Sequence, residues 1–330
     1  MLIYSAPSTA TSIPVIDLAE SFSDDPEARG RVAWEIHKAS RDTGFFYVTN
    51  HCVPQEIMDG QLAIARDFFD LTLDEKMTAD ARRSPCLRGY EAMAIQALDE
   101  GSQPDLKEGF QVGRDLADDH PYVARGFANH GANQWPEVMP ALRGVTENYI
   151  EHMRSLGTHL VRLLALSLEQ PQDYFDAALD EVVVTTRMLH YPPQQSVGAG
   201  NQLGAGAHTD WGLITLLLQD EVGGLEVQNA DGEWIRAPHI PGTFVVNLGD
   251  MVPVLTNGLY HSTMHRVLNC SSARDRYSVP TFFDLDYEYV IEPVPSCVAD
   301  GVPTREPVTV GQHIAEMFRR TYTNVSSEIS

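Results

Sequence analysis

The sequence predicts an α+β chain with a mainly β core: a helix-rich N-terminal half, then a β-rich C-terminal half folded as a sandwich or barrel. Three observations carry this. Apolar residues recur at three- and four-residue steps in stretches ending near Arg41, Phe69 and Leu168. After Glu181, short β-rich runs alternate with turns. The pairs Gly223-Gly224, Asp231-Gly232 and Asn257-Gly258 punctuate those runs as strong turn signals. Many short strands with regular turns are the mark of a sandwich or barrel.

Taken in order, Ile13 to Leu18 reads as a short strand. Asp25-Pro26 supplies an N-cap followed by proline at the first helical position. The helix so begun runs to about Arg41, with Val32, Ile36 and Ala39 on one face. Gly44 to Val48 reads as a strand and Gln55 to Phe69 as a second helix. From Arg82 to Gly131 glycines and prolines interrupt any period. That stretch reads as loops with short strands, either a plain surface excursion or a substrate-covering lid. Tyr149, Met153, Leu156, Leu160 and Leu164 then mark a core-packing helix from Val145 to Leu168. The β-rich runs are Val182–Leu189, Thr215–Leu218, Leu225–Gln228, Thr243–Leu248 and Arg276–Phe283. Asp231-Gly232, between LEVQ and EWIRA, closes a hairpin.

The chain has 330 residues, 43% of them hydrophobic, enough for a sizeable core. Asp and Glu number 46 against 23 Lys and Arg, a net charge of -23. Such a surface repels phosphate backbones and anionic lipid, so neither nucleic acid nor membrane is an expected partner. No apolar run has the length of a membrane span. The first residues lack the basic and apolar regions of a signal peptide. Cys52, Cys86, Cys270 and Cys297 are scattered, as reduced thiols in a cytoplasmic protein would be. Asn269-Cys270-Ser271 and Asn324-Val325-Ser326 fit the glycosylation pattern and are read as chance matches.

Two constellations carry chemistry. In His208-Thr209-Asp210, strand alternation would project an imidazole and a carboxylate to one side. His265, in HSTMHRV, is the best third ligand. Two histidines and one carboxylate on one face of an octahedron leave three positions open, the facial triad of iron(II) oxygen chemistry. The rival third ligand is His261; His190 and His239 lie nearby. In RYSVPTFFD, Arg276 and Ser278 share a face. A guanidinium and a hydroxyl there can grip the far carboxylate of a dicarboxylate.

These residues resemble the isopenicillin N synthase-like family of 2-oxoglutarate/Fe(II)-dependent dioxygenases. The likeness runs through IPVIDL at Ile13, DTGFFYVTNH at Asp42, DLKEGFQVG at Asp105, His208-Thr209-Asp210, and Gly223 to Asp250. It continues through LTNGLYHSTMHRV and RYSVPTFF, in the family's order over nearly the whole chain. The resemblance implies a double-stranded β-helix, or jelly roll, with N-terminal helices packed against it. It implies that His208, Asp210 and His265 bind Fe(II), the family's ligand being the histidine directly before Arg266-Val267. It implies that Arg276 and Ser278 hold the distal carboxylate of 2-oxoglutarate, with a further hydrogen bond from Tyr191. One departure stands out: Leu189 occupies a position where many members have a co-substrate-binding asparagine. Arg-x-Ser also occurs in relatives that use no 2-oxoglutarate.

The expected organisation is an N-terminal region at 1–144, a connecting helical segment at 145–180, the jelly-roll core at 181–290 and a C-terminal extension at 291–330. The expected activity is oxidation of a C–H bond of a small molecule with O2 and 2-oxoglutarate as co-substrates: hydroxylation first, with desaturation or ring closure as other outcomes. Phe110, Trp211, Leu213 and Phe283 are the candidate pocket residues, and Arg88-Gly89-Tyr90 a candidate lid element. The alternatives are a 2-oxoglutarate-independent oxidase of the same fold, a non-catalytic jelly-roll binding protein, and a zinc hydrolase.

Overall fold

The computed structural model describes residues 6, 9–93, 105–193, 203–268, 274–298 and 306–322. Cys270 and both Asn-x-Ser matches lie outside these residues. In the N-terminal half, β1 (Val15–Asp17) pairs in parallel with β2 (Phe45–Thr49), and β3 (Gly89–Glu91) pairs antiparallel with β4 (Glu108–Gly113). The C-terminal half supplies β5 (Val183–Tyr191), β6 (Ala205–His208), β7 (Ile214–Gln219) and β8 (Leu225–Gln228). It continues with β9 (Trp234–Arg236), β10 (Phe244–Leu248), β11 (His265–Val267) and β12 (Arg276–Asp284). β13 (Val290–Ile291) and β14 (Val308–Thr309) form a separate small pair.

The larger sheet has eight strands in the order β1-β2-β10-β7-β12-β5-β4-β3, and the smaller has four in the order β6-β11-β8-β9. From β5 onward the chain crosses back and forth between them. β5, β7, β10 and β12 join the larger sheet; β6, the β8/β9 hairpin and β11 join the smaller. This winding of two facing antiparallel sheets is the double-stranded β-helix expected. Leu225 and Val227 of the smaller sheet pack on Phe45, Tyr47 and Val245 of the larger. The β8/β9 turn is longer than the Asp231-Gly232 pair alone. The Asn229 side-chain carbonyl accepts from the backbone N–H groups of Asp231 and Glu233, and Gly232 takes a positive φ of 81°.

Helices cover the outer face of the larger sheet. In α1 (Pro26–Asp42) the Asp25 carboxylate caps the Glu27 N–H at 2.9 Å, and Val32, Ile36 and Ala39 are buried as the spacing requires. It packs on α5 (Ala141–Ser167), as does α2 (Gln55–Phe69), and both α2 and α5 also press on β12. α5 begins at Ala141, before the expected Val145; Gly144, a poor helix former in its first turn, hides that start in the sequence. Between these lie the short helices α3 (Leu73–Met77) and α4 (Pro121–Ala124); α6 (Met251–Leu255) and α7 (Val310–Tyr322) come later.

Of the stretch from Arg82 to Gly131, residues 82–93 and 105–131 are described, and these form part of the wall of the fold. β3 and β4 extend the larger sheet at its edge. Arg88 and Tyr90, read as lid elements, are only 1% and 2% exposed. The Arg88 guanidinium donates to the Asn129 carbonyl at 2.7 Å and fills the space that any side chain at Gly113 would need. Among the described residues no helix is long and apolar enough to cross a membrane.

Candidate active site

His208 ends β6 and faces His265, the first residue of β11, as its direct cross-strand partner. Their ring centroids lie 4.2 Å apart. Asp210 falls just beyond β6, so a turn delivers its carboxylate, not the alternation of one strand. That turn is pinned. The Asp210 carbonyl accepts from the Asp250 N–H at 2.8 Å, and Gly212 passes so close to Asp284 that a Cβ would lie 2.0 Å from its Oδ1. Asp210 Oδ1 then sits 3.8 Å from His208 Nε2 and 3.6 Å from His265 Nε2.

The remaining atoms of all three side chains are committed elsewhere. His208 Nδ1 bonds the Gly206 carbonyl at 2.7 Å, and His265 Nδ1 bonds the Thr263 carbonyl at 3.2 Å. A carbonyl can only accept, so each Nδ1 carries the proton and each Nε2 presents a lone pair. Asp210 Oδ2 accepts from Thr215 Oγ1 at 2.5 Å and Asn247 Nδ2 at 2.6 Å, leaving Oδ1 turned to the histidines. Burial, then the neighbouring His265, holds the His208 imidazole down at about 3, so it stays neutral. Burial alone would raise the Asp210 carboxyl. The attraction of the neighbouring His265 and His208 in their protonated forms and the hydrogen bonds from Asn247 and Thr215 outweigh that and keep it below the usual carboxylate range. Together the three could hold a metal ion. His261 is exposed and takes no part, while His190 bonds Glu108 and Asp275.

The trio opens into a cavity of about 170 Å³ between the sheets. Alternation along β12 and β5 decides what faces it. Arg276, Ser278, Pro280, Phe282 and Asp284 line it from β12, and Thr185, Arg187, Leu189 and Tyr191 from β5. At one end Arg276 is buried, its Nη1 donating to Ser278 Oγ at 3.3 Å, its Nε donating to the Gly223 carbonyl, and its guanidinium 4.7 Å from the Tyr191 ring centroid. Among the described residues it has no carboxylate partner. A buried guanidinium so placed calls for an anionic ligand.

Residues 13–138 match the family described as non-haem dioxygenase in morphine synthesis N-terminal, and residues 180–285 match the 2OG-Fe(II) oxygenase superfamily. The chain is 37% identical over 318 residues to the 2-oxoglutarate-Fe(II) type oxidoreductase hxnY of Emericella nidulans, covering 94% of this chain and 91% of that protein. It is 38% identical over 319 residues to the 2-oxoglutarate-dependent dioxygenase citB of Monascus ruber, covering 94% and 95%. The chain belongs to the 2OG-Fe(II) oxygenase superfamily. A full-length Neurospora crassa protein, solved in complex with alpha-KG, superposes with a TM-score of 0.82 at 27% identity, covering 94% of this chain and 96% of that one. As a 2OG-Fe(II) oxygenase the protein is an enzyme that uses iron(II), 2-oxoglutarate and O2 on a small molecule.

Within this oxygenase cavity the expected pocket residues fare differently. Trp211 lines it, and the Trp211 carbonyl bonds His313 Nε2 of α7 at 2.8 Å. Phe110, Leu213 and Phe283 do not line it; all three lie in the apolar core. Phe110 packs on Phe68 of α2, with ring centroids 4.5 Å apart. Phe283 points at Gly157 of α5, where a Cβ would come within 2.3 Å of its ring. Their neighbours Gln111 and Phe282 face the cavity instead. Counting by twos from Arg276 reaches Phe282 and Asp284, so the signal is present in the sequence. Lys107 and Gln111, both inside the run DLKEGFQVG, also line the cavity, as do Asn129, Arg187 and Ile314, which lie in none of the runs that carry the resemblance. Leu189 faces it beside Tyr191, opposite Ser278, and offers no hydrogen bond there.

Proposed function

We propose that His208, Asp210 and His265 hold iron(II), and that Arg276 and Ser278, with Tyr191 alongside, hold the distal carboxylate of 2-oxoglutarate. The observation that carries this is the convergence of Oδ1 and two Nε2 atoms whose partner atoms are all engaged elsewhere. Iron(II) held there would let O2 oxidise a substrate C–H bond, 2-oxoglutarate giving up two electrons as one oxygen atom enters it and it leaves as succinate and carbon dioxide. The chain's part is orientation. Gly206 and Thr263 fix both imidazole tautomers. Thr215 and Asn247 hold the carboxylate to a single donating oxygen. Arg276 anchors the far end of the co-substrate against the field of a strongly acidic protein. Leu189 leaves Tyr191, Arg276 and Ser278 to do the holding without an amide.

Substrate enters opposite Arg276, between Trp211, Phe282 and Ile314. Ile314 comes from α7, whose His313 is tied to the residue after Asp210. The cavity of about 170 Å³ supports a compact molecule as substrate, with hydroxylation the expected outcome. The free thiols Cys52, Cys86 and Cys297 support a reducing compartment, the cytoplasm. The net charge of -23 supports a partner that is neither nucleic acid nor anionic membrane.

The test is 2-oxoglutarate turnover. Wild type is expected to convert it to succinate only with iron(II), and Asp210→Ala not at all. Iron-dependent oxygen uptake without 2-oxoglutarate consumption would overturn the assignment.

A further inference from the structure

Among the described residues two cations other than Arg276 line the cavity, and each has its own carboxylate. Arg187 on β5, four residues from Tyr191 on the same face, pairs with Glu91 at the end of β3. Lys107 Nζ lies 2.7 Å from Asp105 Oδ2, and the other Asp105 oxygen accepts from the Gly206 N–H at 2.9 Å. Both pairs are well buried: side chains are 13% and 19% exposed in the first, 6% and 2% in the second. Asp284 lines the same region, and burial pushes its carboxyl up to about 7.

Charge can then be counted. The distal carboxylate of 2-oxoglutarate matches Arg276 and the Arg187–Glu91 and Lys107–Asp105 pairs cancel, so among the described residues no cation lining the cavity is left over. A carboxylate entering there would be a buried charge with no uncommitted counter-ion, inside a chain of net charge -23. An ammonium would have to take Glu91 or Asp105 from its partner, or meet Asp284, whose Oδ1 already accepts from the Leu213 N–H at 2.6 Å and whose burial favours the protonated form. The other groups available are the side-chain amides of Gln111 and Asn129 and the apolar surfaces of Trp211, Phe282 and Ile314.

We infer that the substrate is an uncharged small molecule with an apolar body and a carbonyl- or amide-type polar edge, neither an acid nor an amine. This rests on the cofactor assignment above. It commits the site to hydrogen-bonding selection: the polar edge meets Arg187, Gln111 or Asn129 without breaking an ion pair.

The test uses the full chain, loaded anaerobically with iron(II) and 2-oxoglutarate, and three matched probes: benzamide, benzoate and benzylammonium. Binding is read as perturbation of the metal-to-co-substrate charge-transfer band. Wild type is expected to bind benzamide at least tenfold more tightly than either charged probe. Glu91→Gln leaves Arg187 without its carboxylate and is expected to improve benzoate binding at least tenfold. Asp105→Asn does the same at Lys107, so a folding failure of one variant leaves the other. Equal or tighter binding of benzoate or benzylammonium to wild type, or binding of none of the three, overturns the inference. Absence of the band itself overturns the cofactor assignment and this inference with it; a normal band with benzoate preferred overturns only the inference.

Discussion

The two faces of β12 are made from one run of nine residues and do opposite work. Arg276, Ser278, Pro280, Phe282 and Asp284 face the cavity; Tyr277, Val279 and Phe283 belong to the apolar core under the helices. Both faces are buried, so hydrophobicity alone cannot tell them apart. What separates them is what they meet: one face packs in the core under the helices, the other lines the cavity.

The neighbours Phe282 and Phe283 give the sharpest contrast. Phe283→Ala opens a cavity against α5 and is expected to lower unfolding free energy by ~3–5 kcal/mol. Phe282→Ala is expected to spare the melting temperature by comparison and to raise the substrate KM. Thermal unfolding and steady-state kinetics on the pair decide it; equal melting losses would break the division of faces.

Arg276→Met comes next. Losing a buried charge-assisted grip is expected to raise the KM for 2-oxoglutarate on the order of 100-fold, with iron(II) binding retained. An unchanged KM would show that the anion is held elsewhere. Asn247→Ala, which frees one side of the Asp210 carboxylate, is expected to weaken iron(II) binding about 10- to 100-fold, measured by anaerobic titration.

The smallest effect concerns Asp284, and its sign is specific. Burial raises its folded pKa from 3.8 to about 7, so the native state holds the proton more tightly than the unfolded chain. Stability therefore falls as pH rises from about 4 to about 7, and the loss is complete above that. The full gap corresponds to about 4 kcal/mol, and relaxation around the charged form reduces it to roughly 2 kcal/mol. Asp284→Asn is expected to stabilise the metal-free protein above pH 7 and to match wild type near pH 4. Destabilisation of the variant at pH 8 would mean that the carboxylate itself is wanted there.

The same contrast of faces separates what is legible in the sequence from what is not. The residues proposed to hold the metal and the co-substrate are legible because His208, Asp210, His265, Arg276 and Ser278 stand in compact motifs, and the structure lines one cavity with all five. The β-rich half is readable strand by strand, though β6 and β11, four and three residues long, show only as motif carriers. The substrate end draws single residues from β4, β5, β12 and α7, and only the closing of the two sheets brings them together. Phe110 and Phe283 deceive because a strand buried on both faces looks the same from either side. Arg88 deceives because an arginine so deeply buried is rare, and only the space over Gly113 explains it.

The central claim is that the histidine pair and Asp210 take iron(II) while Arg276 docks the co-substrate onto it. Anaerobic addition of 2-oxoglutarate to the iron(II)-loaded chain tests this most directly. A charge-transfer band in the visible region is expected in wild type, absent from His265→Ala, and shifted to much higher 2-oxoglutarate concentration in Arg276→Met. A wild-type protein that binds iron(II) but gives no band, or a band indifferent to Arg276, would contradict it.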